Sequence, residues 1–453
     1  MADKSDFTQG SIPYNIFRMA IPMTTAVLIN ALYSIVDRVY LGHISGAGSL
    51  ALTGVGLAFP IITILTAFQN LFGNGGSPLF AMASGNGDKK LAAQYMANAA
   101  FMLVVTGFAL TAISYALKEK VLWIIGASEK TFSYANDYLD VYLIGTVFVM
   151  ISVGMNPYIN AQGHARTGMM TVLIGAVLNI VLDPIFIFAF NMGVKGAAIA
   201  TIISQAVSAG WVLLFLFGKK APIRLDFSHF KPNWYLIGKI VSLGVTDFCF
   251  EVTNSAVAMV CNASLARLGG DVWVASMTVL SSIRTILFTV QHGVTGATKP
   301  IMSYNYGAKR PDRVRTAINW LTGIMFVYLI VSWAFLMAFP GFFASLFTNV
   351  QEVRDCCKIS IRIYFCMQFF MTFQSAGQST FTALGMAKHA LFFSLLRKAI
   401  LVIPLVLILP KMFGLGVLGV FAAEPVSDVI GGLACYITMK ITTRKKLAPT
   451  TAA

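Results

Sequence analysis

Apolar runs of about 18 residues or more recur from one end of this 453-residue chain to the other. Each is long enough to cross a hydrocarbon core about 30 Å thick, and nothing else in the sequence constrains the fold as strongly. In lipid every backbone amide must find its partner inside the protein, so such runs fold as helices. A transmembrane β-barrel would show short alternating segments of about ten residues, and that pattern is not seen. Charged residues make up 11% of the chain, against about a quarter in a soluble protein of this size. The expected fold class is an all-α polytopic membrane protein.

Hydropathy places spans at 15–41, 50–74, 91–117, 134–160, 168–190 and 196–218, then 235–266, 272–298, 314–340, 357–384, 388–411 and 415–440. That predicts twelve transmembrane helices in two six-helix bundles. The expected organisation is an N-lobe over 1–218, a basic linker over 219–234 ("KKAPIRLDFSHFKPNW") and a C-lobe over 235–453 with a basic tail. The formal charge of +15 is not spread evenly. Lys4, Lys89, Lys90, Arg166, Lys219, Lys220, Lys309, Arg310 and the run Arg444, Lys445, Lys446 fall in alternate loops and at the termini. The positive-inside rule then puts both termini and the linker in the cytoplasm, and it assigns the basic charge to membrane topology rather than to nucleic acid. The polar opening "MADKSDFTQGSI" has no cleavage pattern, so the first apolar span is expected to be retained. A multi-pass protein of the cell membrane is the expected localisation.

The two halves are related. "FQNLFGNGGSPLFAMASGNGDKK" lies over "VQHGVTGATKPIMSYNYGAKRPD" at an offset of 222, which aligns Gln69 with Gln291, Pro78 with Pro300 and Gly85 with Gly307. The same offset brings "NAQGHAR" onto "TALGMAK". An even number of spans per half makes this a parallel repeat about an axis along the membrane normal, with a central cleft between the bundles as the expected substrate site.

Against this apolar background a few polar residues stand out. "NIVLDPIFIFAF" sets Asn179 and Asp183 four residues apart on one helical face. A charge at the bilayer centre costs about 2.5–3.5 kcal/mol on insertion scales, so Asp183 is expected to face the bundle interior and to serve function. Pro184 withholds an amide donor and weakens its turn. In the first span, Asp37, Tyr33 and Asn30 form one polar stripe, and Pro22 lies upstream as a site for a kink. Two such carboxylates, if brought into one dry pocket, could not both ionise cheaply. Such a pair is suited to taking up a proton, or a sodium ion held by its oxygens.

"LDPIFIF", "PIMSYNYGAK" and "NAQGHARTGM", together with the six-plus-six layout, resemble the multidrug and toxic compound extrusion (MATE) transporters. The resemblance runs from about residue 14 to 440. It implies two helical bundles that expel organic cations and drugs in exchange for H+ or Na+. It also implies that Asp37, Asn179, Asp183 and Thr201 share one proton-coupling or Na+ pocket, that Tyr138 and Asn156 line the same chamber with Asn30 and Tyr33, and that Pro22 is where the first helix bends. A monomer is expected, with drugs and membrane lipids as partners, no nucleic acid and no cofactor beyond the coupling ion.

In the second half, Asp247, Glu251 and Asn254 share a helical face, with Arg284 as a plausible partner. They read either as a structural ion-pair network or as an acidic patch for cationic substrate. Glu424 and Asp428 are also four apart. The offset of 222 carries Asp183 onto Leu405, so ion coupling is assigned to the first half. His43, His164, His229, His292 and His389 are scattered, and the six cysteines have no metal or disulfide spacing. "GNGDKK" lacks the spacing of a phosphate loop, so ATP is not the energy source. No constellation of nucleophile, base and metal ligands suggests an enzyme. The alternative is a lipid-linked precursor flippase. It is disfavoured because intramembrane cations look few, with Arg284 the clearest, while acids look more numerous.

Overall fold

The computed structural model describes residues 6–44, 48–226, 228, 230–412 and 414–448. Lys4 and His229 lie outside them. The described chain is helical, with no strand among these residues. We label the spans α1 (Ile12–Gly42), α2 (Gly48–Gly85), α3 (Lys89–Ile125), α4 (Glu129–Ala161), α5 (Ala165–Ala189) and α6 (Gly193–Phe217). They continue with α7 (Trp234–Gly269), α8 (Asp271–Gly307), α9 (Pro311–Ala338), α10 (351–383), α11 (Ala387–Lys411) and α12 (Val417–Lys446).

Ten of these spans are long and apolar enough to cross a membrane on their own terms. The two that are not, α7 and α10, have local reasons. The middle of α7 carries Thr246, Asp247, Glu251, Thr253 and Asn254. The α10 span breaks into Gln351–Tyr364 and Met371–Ala383, joined through a short 3-10 turn, and neither piece alone spans a bilayer.

The described residues pack into two compact units, one within 1–9 and 18–247, the other within 10–17 and 248–453. The division falls inside α7, later than the 219–234 linker. Small residues explain why the start of α7 groups with the first unit. A Cβ on Gly244 would overlap the Leu71 carbonyl of α2, and one on Gly75 would come within 2.5 Å of the Ile240 carbonyl. Backbones this close leave no room for side chains, the usual packing device of helices in lipid. The seam continues where a Cβ on Gly73 would lie 2.6 Å from the Gly154 carbonyl of α4. Close by, the Tyr158 hydroxyl donates to the Phe72 carbonyl at 3.1 Å.

The repeat shows in the turns. Gly85 and Gly307 end α2 and α8. "GNGDKK" is a tight reversal in which Gly87 takes φ +81° and Asp88 caps α3 by accepting from the Leu91 amide at 2.9 Å.

Candidate ion and substrate site

The first unit gathers its polar residues on α1, α4, α5 and α6. Asn179 and Asp183 project from α5, 3% and 0% exposed. The Asn179 amide nitrogen donates to Asp183 Oδ1 at 3.2 Å and to Thr201 Oγ1 of α6 at 3.3 Å. The Asp37 carboxyl of α1 lies within hydrogen-bonding reach of the Asp183 carboxyl. Tyr33 sits in the field of both acids. Tyr138 of α4, buried, reaches the Thr201 hydroxyl and stacks on Tyr142 with ring centroids 5.6 Å apart. Tyr40 meets Phe188 edge-on at 6.3 Å, a further contact between α1 and α5.

Three buried oxygens here have no hydrogen-bond partner among the described residues: Asp37 Oδ1, Asn179 Oδ1 and Asp183 Oδ2. An unmet acceptor out of water costs about 1–3 kcal/mol, more if charged. Three in one place make a set of hard oxygen donors suited to a proton or an alkali cation. Among the described residues, no group of three His, Cys, Asp or Glu side chains is arranged to hold a metal ion.

The backbone around Asp183 is irregular. Pro184 cannot donate to the carbonyl four residues back, and the helix runs on as a π-helix over Ile185–Ala189. Pro22 lies buried within α1. It supplies no amide hydrogen to the preceding turn, where at Arg18 α1 passes from one unit to the other.

The residues expected to line one substrate chamber divide into two sets. Tyr33 and Tyr138 stand beside the carboxylates. Asn30 and Asn156 line a second cavity of about 290 Å³, with Asn70, Asn74, Asn160 and Gln205 also on its wall. Asn156 is anchored by its amide nitrogen, which donates to the Gly168 carbonyl at 3.0 Å. Its Oδ1 and that of Asn160 are buried and unpartnered among the described residues. The sequence reading missed this amide wall, although the four-residue spacings Asn70/Asn74 and Asn156/Asn160 were there to be read.

The second unit corrects one expectation, the scarcity of intramembrane cations, and gives Arg284 named partners. Arg284 is held by α12 and α10, with Glu424 Oε1 at 3.2 Å and the Tyr364 hydroxyl at 2.8 Å, and its guanidinium lies over Phe288. Intramembrane cations are also not few. Arg397 and Lys398, on a π-helical stretch of α11, are 2% and 0% exposed. Both bind Glu424 Oε1, at 3.0 and 2.7 Å, and Arg397 also binds Asp428 Oδ1 at 3.0 Å. These two cations could have been found as an "RK" pair in the middle of an apolar span. Asp247 and Glu251 are half-buried on α7; Asp247 closes the first unit, whereas Glu251 and Arg284 belong to the second.

Membrane-spanning helices enclosing two acids that make no ion pair among the described residues of one unit describe a multi-pass transport protein. The family follows from the sequence matched: the MatE family model covers residues 22–185 and 249–408, and the chain belongs to that family of transporters. The multidrug export protein MepA of Staphylococcus haemolyticus is 24% identical over 411 residues, 90% of this chain and 89% of its own length. MepA of Staphylococcus aureus strain MSSA476 is 23% identical over 400 residues, 87% of each chain. A crystal structure of a MATE protein in the bent conformation matches with a TM-score of 0.92 at 23% identity, covering 98% of both chains. That likeness establishes the fold.

Proposed function

We propose that this chain is a secondary multidrug exporter that moves organic cations and amphipathic drugs outward in exchange for H+ or Na+. One observation carries the reading: the buried, unpartnered oxygens of Asp37, Asn179 and Asp183 stand together beside Thr201 and Tyr138. The names of the MepA relatives support drugs as the cargo.

In this mechanism the ionised carboxylates hold or attract a cationic drug from the cytoplasm. A proton or sodium ion arriving from outside then neutralises them. Asn179 fixes Asp183 through its amide nitrogen and leaves its own oxygen for the ion. Thr201, already an acceptor for Asn179, adds a hydroxyl oxygen to the same set. Loss of negative charge removes what holds the cation, and α1 bends at Pro22 to shrink the chamber. One charge crossing 100 mV supplies about 2.3 kcal/mol, enough to drive a concentrative step without ATP. The protein works as a monomer in the cell membrane, with both termini cytoplasmic.

The test is ethidium transport in everted vesicles, energised first by a pH gradient alone and then by a sodium gradient alone. Asp37→Asn and Asp183→Asn should each abolish coupled movement. Wild-type coupling in both variants would refute the ion site. A lipid-linked precursor flippase is the second reading. Arg397 and Lys398 remove part of the argument against it, since they add buried cations. Glu424 and Asp428 offset all but one of the three charges of Arg284, Arg397 and Lys398, so export stands ahead. Lipid translocation without ethidium transport would reverse that order.

A further inference from the structure

A cavity of about 380 Å³ opens where the start of α9 meets the end of α12, lined by Arg315, Ile318, Asn319, Lys440, Thr443 and Arg444. Three of its side chains are cationic, and no carboxylate lines it among the described residues. Two of the cations are already positioned. Arg315 donates to the Leu447 carbonyl at 2.9 Å; Lys440 reaches Asn319 Oδ1 at 3.4 Å and lies 5.3 Å over the Tyr436 ring. The nearest acid, Asp312, is 3.8 Å from Arg315 but almost wholly exposed, so it offsets little. Buried Ile318 and Thr443 form the floor.

A second cavity begins at the same Asn319. It is an apolar groove of about 630 Å³ running along α9 between Trp320, Gly323, Ile324, Val327 and Tyr328, with Phe17 on its other side. Gly323 keeps it open, since a Cβ there would meet nothing within 4 Å. Trp320 and Val327 are 43% and 60% exposed. All of these residues belong to the second unit.

A basic pocket at the polar end of two membrane helices, continuous with an apolar groove that descends along one of them, has the layout of an acidic phospholipid. We propose that this face binds one: the phosphate sits among Arg315, Lys440 and Arg444, and an acyl chain lies along the Gly323 groove. The charge selects the anionic headgroup, worth about 1 kcal/mol per cation near the membrane surface, or about fivefold in affinity. The groove separates a lipid from a free phosphate, which would gain nothing from it.

The experiment uses the purified full chain with phosphatidylglycerol, phosphatidylcholine or inorganic phosphate as probe, and reads bound lipid by native mass spectrometry. Phosphatidylglycerol should be retained over phosphatidylcholine. Arg315→Gln and Arg444→Gln should each weaken it about fivefold. Gly323→Leu should weaken it with every charge in place, and inorganic phosphate should not displace it. Equal retention of the two lipids overturns the proposal. So does displacement by inorganic phosphate with no effect of Gly323→Leu, which would mark a free-phosphate site. Should Arg315→Gln fail to fold for want of its bond to Leu447, Arg444→Gln, at an exposed side chain, decides the charge question alone.

Discussion

The two units treat a buried carboxylate in opposite ways. In the second, Glu424 Oε1 takes Arg284, Arg397 and Lys398 at 3.2, 3.0 and 2.7 Å. In the first, Asp183 takes one amide donor at 3.2 Å, and no cation comes within 4.0 Å of it or Asp37 among the described residues. The offset of 222 sharpens the contrast. Where α5 has Gly175 and Ala176, α11 has Arg397 and Lys398; where α5 has Asp183, α11 has Leu405; Ile202 of α6 gives way to Glu424. The matched helix pair thus carries a saturated network in one copy and, in the other, the single acid Asp183, which meets Asp37 of α1. A carboxylate that its own protein has neutralised is scaffold, whereas one left with free lone pairs is available for exchange.

That contrast is broken or sharpened by five substitutions. Glu424→Gln should have the largest effect, because it leaves buried Arg284 and Lys398 without a carboxylate and Arg397 with Asp428 alone. The expected loss is about 3–5 kcal/mol, seen as a collapsed yield of monodisperse protein or a sharply lowered Tm. Asp183→Asn and Asp37→Asn should leave that yield intact, with stability changed by less than about 1 kcal/mol, while ethidium export falls to background. If they unfold the protein as Glu424→Gln does, the two sites are not different in kind. Thr201→Val removes one acceptor from Asn179, and an effect of about 1 kcal/mol should appear as roughly fivefold weaker apparent ion affinity in the gradient titration. Gly168→Ala is the mildest. Its Cβ would fall 2.6 Å from Asn156 Oδ1 and closer still to Asn160 Oδ1, both ends of flexible side chains. It should cost under about 1 kcal/mol, raising the half-saturating drug concentration with the ion dependence unchanged.

Much of the first site was legible because its signals are local. The four-residue step from Asn179 to Asp183 and the stripe Asn30, Tyr33, Asp37 follow from helical periodicity alone. That Asp37 meets Asp183 is a contact between helices, and the sequence supplied it only through family resemblance. The second network was missed for a physical reason. Ala387–Lys411 is among the most apolar spans of the chain even with Arg397 and Lys398 inside it, so averaging over a window hides two charges. The partners of Arg284 on α10 and α12 were likewise out of reach, since only packing decides which helices meet. Helix ends shifted for a related reason. Hydropathy stops α2 near residue 74, yet the helix continues to Gly85 through "GGSPLFAMAS", a stretch rich in small residues and mostly buried. Hydropathy reports what lipid would accept and says little about what another helix will cover.

Glu424 Oε1 also bears on how this half can diverge. Three basic groups share one atom, so Glu424 cannot be lost alone without leaving Arg284 and Lys398 without a carboxylate and Arg397 with Asp428 alone. Drift at Glu424 is therefore blocked one step at a time and open only to compensated, simultaneous change. Lineages should keep Glu424 wherever they keep its buried cations, while the amide-lined wall of the first unit carries no such constraint.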